Sequence, residues 1–273
     1  MRVLLTNDDG IEAEGLQALR RELLGVEGLE LAVIAPDSNR SATARSITIR
    51  RPLWVEEVPF ADGSVGYATD GTPVDCVRFA TLGLIEGFVP ELIVSGINHG
   101  SNLGDDITYS GTVAAALEGI VLGLPAIAVS QQSVAGELDF RAGEAFDFAT
   151  AARFAAAIVD RIDEVPLPDG TLLNINVPAG DVQGVEVARL GKRIYHDELS
   201  VVEEDPDQPR KRYRMYGYEP EHVEDDGTDL TAVAAGRIAV TPLHFDLTDE
   251  PGIETLGAYD LARLIAPAAE EVE

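Results

Sequence analysis

Two adjacent carboxylates follow the first apolar run of this 273-residue chain. The run at residues 3–5 leads to Asp8 and Asp9, and Gly10 then allows the backbone to turn. In an open α/β sheet, ligands gather beyond the carboxyl ends of the strands. Hard oxygen ligands at such a place suit Mg²⁺, Mn²⁺ or Ca²⁺, so the pair predicts a divalent metal site. Aspartate is also common at a helix N-terminus, and the pair alone does not separate the two interpretations.

A second polar loop, residues 37–43, follows the next predicted strand. Ser41 or Ser38 offers a neutral oxygen ligand for a metal, and Arg40 offers a guanidinium group for a phosphate. An ordinary polar turn has the same composition. The loop therefore supports a site only in combination with the other loops.

A third loop, residues 95–106, contains glycines at positions 96, 100 and 104. Glycine lets the backbone approach a ligand closely, while Asn98 and Asn102 supply amide oxygens and donors. His99 in the same loop has the chemistry of a proton shuttle. A loop histidine beside Asn and Gly is more often an incidental polar residue, and both interpretations stay open.

Ser110, Gly111 and Thr112 open a predicted helix directly after that loop. Free backbone N–H groups and two hydroxyls there favour an anion, by about 0.3–1 kcal/mol at the surface and up to about 2 kcal/mol when partly buried. A plain Ser/Thr cap is the simpler explanation of the same residues. Three polar segments after successive strands together favour a metal-dependent phosphate site.

Other phosphate and metal motifs are missing from the sequence. No lysine precedes Lys192, which excludes a G-x-x-x-x-G-K-[ST] loop from this part of the chain, and no G-x-G-x-x-G follows a strand. The single cysteine, Cys76, lies in an apolar pattern typical of a buried thiol, and no Cys or His cluster indicates zinc.

Three rival functions have different requirements. A receiver-type phosphorylation switch needs a further phospho-accepting Asp and a Lys near later strand ends, and a haloacid-dehalogenase phosphatase needs D-x-D rather than adjacent carboxylates. A metal-dependent ligand-binding or stress protein without turnover is compatible with the sequence. Released phosphate is the observation that separates that class from an enzyme.

The formal net charge of −28 makes nucleic acid or an anionic membrane an improbable partner. A locally held cation would offset this charge for an anionic substrate. All but two of the 20 basic residues are arginines, and acid excess with little lysine predicts a salt-loving source, because the Debye length falls to about 3 Å at 1 M salt. No apolar run is long enough for a signal peptide or a membrane span, which predicts a cytoplasmic globular protein.

Alternating strand and helix patterns precede residue 180, and they predict an α/β protein with a Rossmann-like, doubly wound, mostly parallel sheet. The predicted strands are 3–5, 29–35, 46–49 with 53–55, 67–69, 92–94, 126–129 and 172–177; the predicted helices are 16–24, 73–85, 111–122 and 144–165.

The pattern changes after Pro178. Four β segments, 185–190, 193–199, 210–218 and 237–242, precede a closing helix at 253–265. The sequence thus predicts a catalytic core at residues 1–180, a β-rich extension at 181–245 and a C-terminal helix within 246–273.

Seven groups of motifs carry a resemblance to a known family over nearly the whole chain. They are LLTNDDG (4–10), APD (35–37) with RS (40–41) and SIT (46–48), GTPVDC (71–76), SGIN (95–98) with NLG (102–104), YSGTVAAA (109–116), GTD (227–229) and VTPL (240–243). With these motifs the chain resembles SurE, the survival-protein phosphatase family of metal-dependent 5'- and 3'-nucleotidases. His99 departs from the pattern, since relatives commonly carry a small residue after the asparagine.

The resemblance implies a site, a reaction and an assembly. It implies one divalent ion per subunit, Mg²⁺ or Mn²⁺, held by Asp8, Asp9, Ser41 and Asn98. It places the substrate phosphate among Asn102, Ser110, Gly111 and Thr112. The implied reaction is hydrolysis of nucleoside 5'- and 3'-monophosphates, in which Asp8 and Asp9 fix the ion and one of them orients the attacking water. The β-rich extension would exchange between subunits and form homodimers or homotetramers.

Overall fold

A computed structural model of the chain describes residues 1–138, 145–196, 198–204, 210–215 and 221–265. Its strands are β1 (Arg2–Thr6), β2 (Glu30–Pro36), β3 (Val55–Pro59), β4 (Val65–Thr69), β5 (Leu92–His99), β6 (Ala126–Gln131), β7 (Thr171–Val177), β8 (Gly184–Val187), β9 (Arg193–Ile194), β10 (Ser200–Glu204), β11 (Lys211–Arg214), β12 (Glu221–His222) and β13 (Arg237–His244). Its α-helices are α1 (Glu14–Leu23), α2 (Pro73–Thr81), α3 (Gly111–Val121), α4 (Ala149–Asp160), α5 (Asp229–Ala234) and α6 (Glu250–Gly257). Within the ranges given above, no helix has both the length and the apolar character needed to cross a membrane.

A nine-stranded sheet forms the centre of the protein, in the order β3-β4-β2-β1-β5-β6-β7-β13-β8. Most neighbouring strands are parallel; β3 runs antiparallel to β4, and β13 antiparallel to β7. The chain proceeds from β1 toward β2 on one side and from β5 toward β6 and β7 on the other. The adjacent carboxyl ends of β1 and β5 therefore form the switch point at which ligands bind in such sheets. The α/β prediction is confirmed.

Helices cover both faces of the sheet. One apolar cluster contains Val3 and Leu5 of β1 together with side chains of α1 and α4, and a second contains Leu4 together with side chains of α2 and α3. Because both faces of β1 are buried, its sequence is a continuous apolar run rather than an alternating one. The run thus ends at the carboxyl edge of the sheet, where Asp8 and Asp9 follow.

The predicted strand at residues 46–49 is wrong. In the structure these residues form no strand, and β3 begins only at Val55. The Thr48 N–H donates to the Asp75 carboxylate (3.0 Å), and the Ser46 carbonyl accepts from the Thr72 hydroxyl (2.8 Å). The N-terminal cap of α2 therefore supplies the backbone partners that a neighbouring strand would otherwise provide. The same helix ends at Thr81 rather than at residue 85.

The region after residue 180 divides between the main sheet and two small sheets. β8 and β13 belong to the main sheet, whereas β10 pairs with β11 and β9 with β12. The predicted closing helix is shorter, since α6 ends at Gly257 and a short 3₁₀ turn follows at Leu261–Leu264. Parts of four predicted segments lie outside the described residues: position 144 of one helix, 197 of one β segment, 216–218 of another, and 266–273 of the C-terminal region.

Asp229 attaches this region to the loop after β5. Its buried carboxylate accepts hydrogen bonds from the N–H groups of Gly104 (2.8 Å), Gly191 (2.7 Å) and Leu230 (2.9 Å). Burial raises the pKa of Asp229, and the three hydrogen bonds oppose that shift. Nearby, Arg193 forms a fully buried ion pair with Asp106 (2.7 Å). The C-terminal region thus holds the far end of the loop whose beginning lies at the switch point.

Candidate active site

The turn after β1 is fixed by the side chain of Asn7. Asn7 donates from Nδ2 to the carbonyl of Gly10 (2.9 Å) and accepts at Oδ1 from the Gly10 N–H (3.2 Å). Gly10 has a φ of +110°, a backbone conformation that side-chain-bearing residues rarely adopt. The two hydrogen bonds close a short loop that holds Asp8 and Asp9 at the carboxyl edge of the sheet.

Asp8 is 3% exposed and faces the N-terminus of α3. The Thr112 hydroxyl donates to Asp8 Oδ1, and a Cβ atom on Gly111 would lie 2.8 Å from Asp8 Oδ2. Burial, together with the charge of Asp9, raises the pKa of Asp8 to about 6, even though the contacts with Thr112 oppose the shift. This position therefore requires glycine at 111 and carries an anionic charge that its surroundings only partly stabilise.

Asp9 is held by three hydrogen bonds. Its Oδ2 atom accepts from the His99 backbone N–H (3.0 Å) and contacts His99 Nδ1 (2.8 Å), while its Oδ1 atom accepts from Asn39 Nδ2 (2.9 Å). His99 lies 90 positions away in the sequence and Asn39 lies 30 positions away. The Asp9 carboxylate, in the turn after β1, thus contacts both the loop after β2 and the end of β5.

The loop after β2 passes beside the carboxylate pair. The Arg40 N–H donates to the Asp8 carbonyl (2.6 Å), and the Ser41 N–H donates to Asn39 Oδ1 (2.8 Å). The Arg40 guanidinium pairs with Asp37 (2.7 Å), and the Ser41 residue is exposed. The loop is therefore anchored to the site through backbone groups, which leaves the Ser41 hydroxyl at its surface.

Asn98 and Asn102 occupy different environments. Asn98 donates from Nδ2 to the Gly100 carbonyl (2.8 Å), so that this bond uses the amide nitrogen and not the amide oxygen. Asn102 is 4% exposed and donates from Nδ2 to Ser130 Oγ (2.8 Å). The side chains of Asn174 and Asn176 both donate to the Asn102 carbonyl, at 3.0 and 2.9 Å. The structure therefore places Asn102 in a buried polar network on β6 and β7.

The N-terminus of α3 completes the arrangement. The Ser110 hydroxyl accepts from the Val113 N–H (3.1 Å) as the N-cap of the helix. The loop after β2 reaches the same place, because the Ala44 N–H donates to the Tyr109 carbonyl (3.1 Å). The positive end of a helix therefore lies against Asp8, where it stabilises negative charge.

Contacts connect several of the predicted site residues, some of them through Asn39. Asp8 touches Gly111 and Thr112, while Asp9 is joined to Asn39, which in turn binds the backbone of Ser41. Asn98 directly precedes His99 in the chain, whereas the hydrogen bonds of Asn102 are made with Ser130, Asn174 and Asn176. Within the described residues, no group of three or more His, Cys, Asp or Glu side chains forms a metal cluster. A metal here would thus combine the two carboxylates with amide or hydroxyl oxygens.

Sequence reasoning missed the roles of Asn7 and Asn39. Both are asparagines in Gly- or Ser-containing turns, where the side chain commonly binds nearby backbone. That tendency was a usable signal for Asn7, whose partner is three residues away. For Asn39, nothing in the local sequence identifies Asp9 as its partner.

Comparisons with known proteins place the chain in one family. The profile of one family, described as Survival protein SurE, matches residues 3–197. A protein of Rubrobacter xylanophilus named 5'-nucleotidase SurE is 50% identical over 268 residues, covering 97% of this chain and 99% of the relative. One of Herpetosiphon aurantiacus with the same name is 46% identical over 261 residues, covering 94% and 97%. The crystal structure of the SurE protein from Aquifex aeolicus superposes with a TM-score of 0.75 at 34% identity, covering 94% of this chain and 100% of that one.

Proposed function

Because the chain belongs to the survival protein SurE family, we propose that it hydrolyses nucleoside 5'- and 3'-monophosphates to a nucleoside and phosphate. The observation that carries this proposal is the direct contact between the Asp8 carboxylate and the N-terminus of α3. That contact brings a cation-binding group and an anion-binding group to one place. A metal-dependent phosphomonoesterase needs both, because the substrate phosphate must meet the metal.

We assign the metal to Asp8, Asp9, Ser41 and Asn98. The chemistry of the donors supports this assignment, because two carboxylates with neutral hydroxyl and amide oxygens suit Mg²⁺ or Mn²⁺. The raised pKa of Asp8 also supports it, because a cation beside two buried negative charges would stabilise both. When bound, the cation would polarise the phosphoryl group and lower the pKa of a water molecule.

We assign the substrate phosphate to the N-terminus of α3, with Ser110, Gly111 and Thr112, and to Asn102. Gly111 has no side chain to obstruct an approaching anion, and the helix dipole favours the negative charge that develops on the phosphoryl oxygens. The Thr112 hydroxyl already donates to Asp8, so Thr112 would connect the phosphate side of the site with the metal side. Asp8 and Asp9 are the catalytic residues of this proposal, since they fix the cation and one of them orients the attacking water.

We further propose that the protein acts as a homodimer or homotetramer, with residues 1–180 as the core and the β-rich extension as the contact region. Large apolar side chains after residue 198 support this proposal, because they are exposed within the described part of the subunit. In the extension they include Leu199 and Val202, and in the C-terminal segment that follows it they include Leu247, Ile253 and Leu256; all five are between 55% and 85% exposed. Apolar surface of this kind marks an interaction site.

A phosphate-release screen tests the proposed function. Nucleoside 5'- and 3'-monophosphates and simple phosphomonoesters are incubated with Mg²⁺, Mn²⁺ or Ca²⁺ at low and high KCl, with EDTA as the metal-free control. We expect release from the nucleoside monophosphates that EDTA abolishes. If no substrate releases phosphate while Mn²⁺ still binds, the protein is a metal-dependent binding protein and not this enzyme.

A further inference from the structure

Hydrogen bonds from His99 determine which oxygen of Asp9 remains available. An ionised carboxylate has about four lone-pair positions. Among the residues that the structure describes, Asp9 Oδ2 accepts from the backbone N–H of His99 and contacts its ring Nδ1, while Oδ1 accepts from Asn39 Nδ2. Three positions are therefore occupied, and the fourth is on Oδ1. His99 thus saturates one oxygen and leaves the other for a further ligand.

Two phenylalanines hold the His99 ring in place. The ring makes edge-to-face contacts with Phe146 (centroids 5.1 Å apart, planes at 85°) and with Phe148 (4.8 Å, 75°). The two phenylalanines stack on each other at 5.6 Å. Aromatic pairs of this kind contribute about 0.5–1.5 kcal/mol beyond the area that they bury. The ring therefore reaches Asp9 from a rigid support at the start of α4.

We propose that His99 is a positioning residue: it fixes the Asp9 carboxylate in the orientation that binds the divalent cation. This inference rests on the proposed function, which gives Asp9 to the metal. The side chains of Asp9 and His99 are 7% and 22% exposed, so their contact is largely shielded from water. Partners that orient metal-binding carboxylates typically change metal affinity by about 10–100-fold when they are replaced. His99 acts through Nδ1, and the proton-shuttle interpretation, which would use the other ring nitrogen, is not needed.

Three substitutions at one position distinguish the roles of the two ring nitrogens. In His99→Asn, the amide nitrogen occupies nearly the place of Nδ1 and can still donate to Asp9. In His99→Gln, the amide nitrogen instead occupies nearly the place of Nε2. His99→Leu removes both nitrogens and keeps an apolar side chain against the phenylalanines. His244→Leu is the matched control, because His244 pairs with Thr171 at the opposite edge of the sheet.

The primary measurement is Mn²⁺ affinity, by calorimetry and by electron paramagnetic resonance of free Mn²⁺, with melting temperature as the test of folding. We expect His99→Leu and His99→Gln to weaken Mn²⁺ binding about 10–100-fold and His99→Asn to remain within about 3-fold of the unsubstituted protein. At saturating Mn²⁺, phosphate release from AMP should stay within about 5-fold for the variants, since the metal then restores the site.

Two results would overturn the proposal while leaving the proposed function intact. One is unchanged Mn²⁺ affinity in a folded His99→Leu protein. The other is Mn²⁺ affinity that is retained in His99→Gln but lost in His99→Asn, which would assign the role to Nε2. An unsubstituted protein that binds no Mn²⁺ and releases no phosphate would overturn the proposed function and, with it, this inference.

Discussion

At the carboxyl edge of the main sheet, polar side chains such as Asp8 and Asn102 are buried and hydrogen-bonded, whereas the described part of the segment from residue 199 to 265 exposes large apolar side chains. Asp8 is 3% exposed and Asn102 is 4% exposed, while Leu199 is 69% and Leu247 85% exposed. The first region takes its geometry from its own subunit, through contacts between distant parts of one chain. The second region has a surface whose apolar partner is not provided by the described part of the subunit.

The two regions also destabilise the isolated subunit in different ways. At neutral pH the Asp8 carboxylate carries its charge in a buried place beside Asp9, and the burial and repulsion that raise its pKa also destabilise the folded subunit. A bound cation would remove that cost, just as a second subunit would cover the exposed apolar side chains. Under the proposed function each region has a different partner, and each can be disturbed separately.

The largest expected effect comes from removing one charge of the carboxylate pair. Asp8→Asn or Asp9→Asn should lower phosphate release more than about 100-fold, because replacing only the partner of a metal ligand already costs about 10–100-fold. Mn²⁺ binding should fall in parallel, while circular dichroism shows an intact fold. Full activity of the unsubstituted protein in EDTA would contradict this prediction.

Asp8→Asn should lower activity but raise the stability of the metal-free protein, which is measured in EDTA. The folded-state pKa of Asp8, about 6, lies above its ordinary value of 3.8, so the folded state binds the additional proton between these values. The stability of the metal-free protein should therefore fall as the pH rises from about 4 to about 6. Asp8→Asn lacks this loss and should melt a few degrees higher than the unsubstituted protein at pH 7, but not at pH 4. Equal melting temperatures at pH 7 would show that Asp8 carries no electrostatic cost.

Substitutions at the start of α3 should have the next largest effect. Gly111→Val adds a side chain whose Cβ lies 2.8 Å from Asp8 Oδ2, so both the anion and the Asp8 carboxylate would be displaced. We expect it to lower kcat/KM about 100-fold, and Thr112→Val about 10-fold through the lost hydroxyl. Crystals soaked with phosphate or vanadate should show the anion at the backbone N–H groups of residues 111 and 112. An anion bound elsewhere, with both variants active, would reduce this segment to an ordinary helix cap.

Sequence reasoning succeeded where the signals were local. The carboxylates follow the apolar run of β1 within a few residues, and the cap of α3 directly precedes its own helix. The structure places β1 and α3 close to their predicted bounds. The family resemblance followed from such short motifs and is confirmed by the comparisons. Local sequence patterns are therefore sufficient to predict where the switch point lies and which residues are near it.

The predictions failed where partners are distant in the chain. The segment at 46–49 has the alternation of a strand, but Asp75, 27 positions away, binds the backbone of Thr48. The contacts of Asp9 with Asn39 and His99 were equally invisible, since no local pattern encodes a separation of 30 or 90 residues. β10 was missed because Glu203 and Glu204 obscure its strand pattern. Tertiary contacts thus determine these details.

Substitutions in the segment from residue 199 to 265 should change the assembly of subunits more than they change catalysis. Replacing both Ile253 and Leu256 of α6 with Asp removes two side chains that are 55% and 58% exposed, and so should not unfold the subunit. Analytical ultracentrifugation should show a smaller species than the unsubstituted protein forms, with phosphate release changed less than about 5-fold. Exchange of two exposed acidic residues of the same helix, Glu250 and Glu254, for Gln is the control. An unchanged sedimentation coefficient would exclude α6 from the interface.

Salt should have the smallest effect on any single group. It acts on the charges of the whole chain and changes the melting temperature. With a net charge of −28, the acidic groups of the chain repel one another. Screening to a Debye length of about 3 Å at 1 M KCl should therefore raise the melting temperature by several degrees.

The site should respond differently, because the Asp8 and Asp9 side chains are buried and salt screens buried pairs weakly. Mn²⁺ affinity should therefore change much less between 0.1 and 1 M KCl than it does in Asp8→Asn. NaCl at matched ionic strength is the control for a specific effect of K⁺. A melting temperature that stays constant or falls with KCl would show that surface repulsion does not limit stability, and would remove the argument for a salt-loving source.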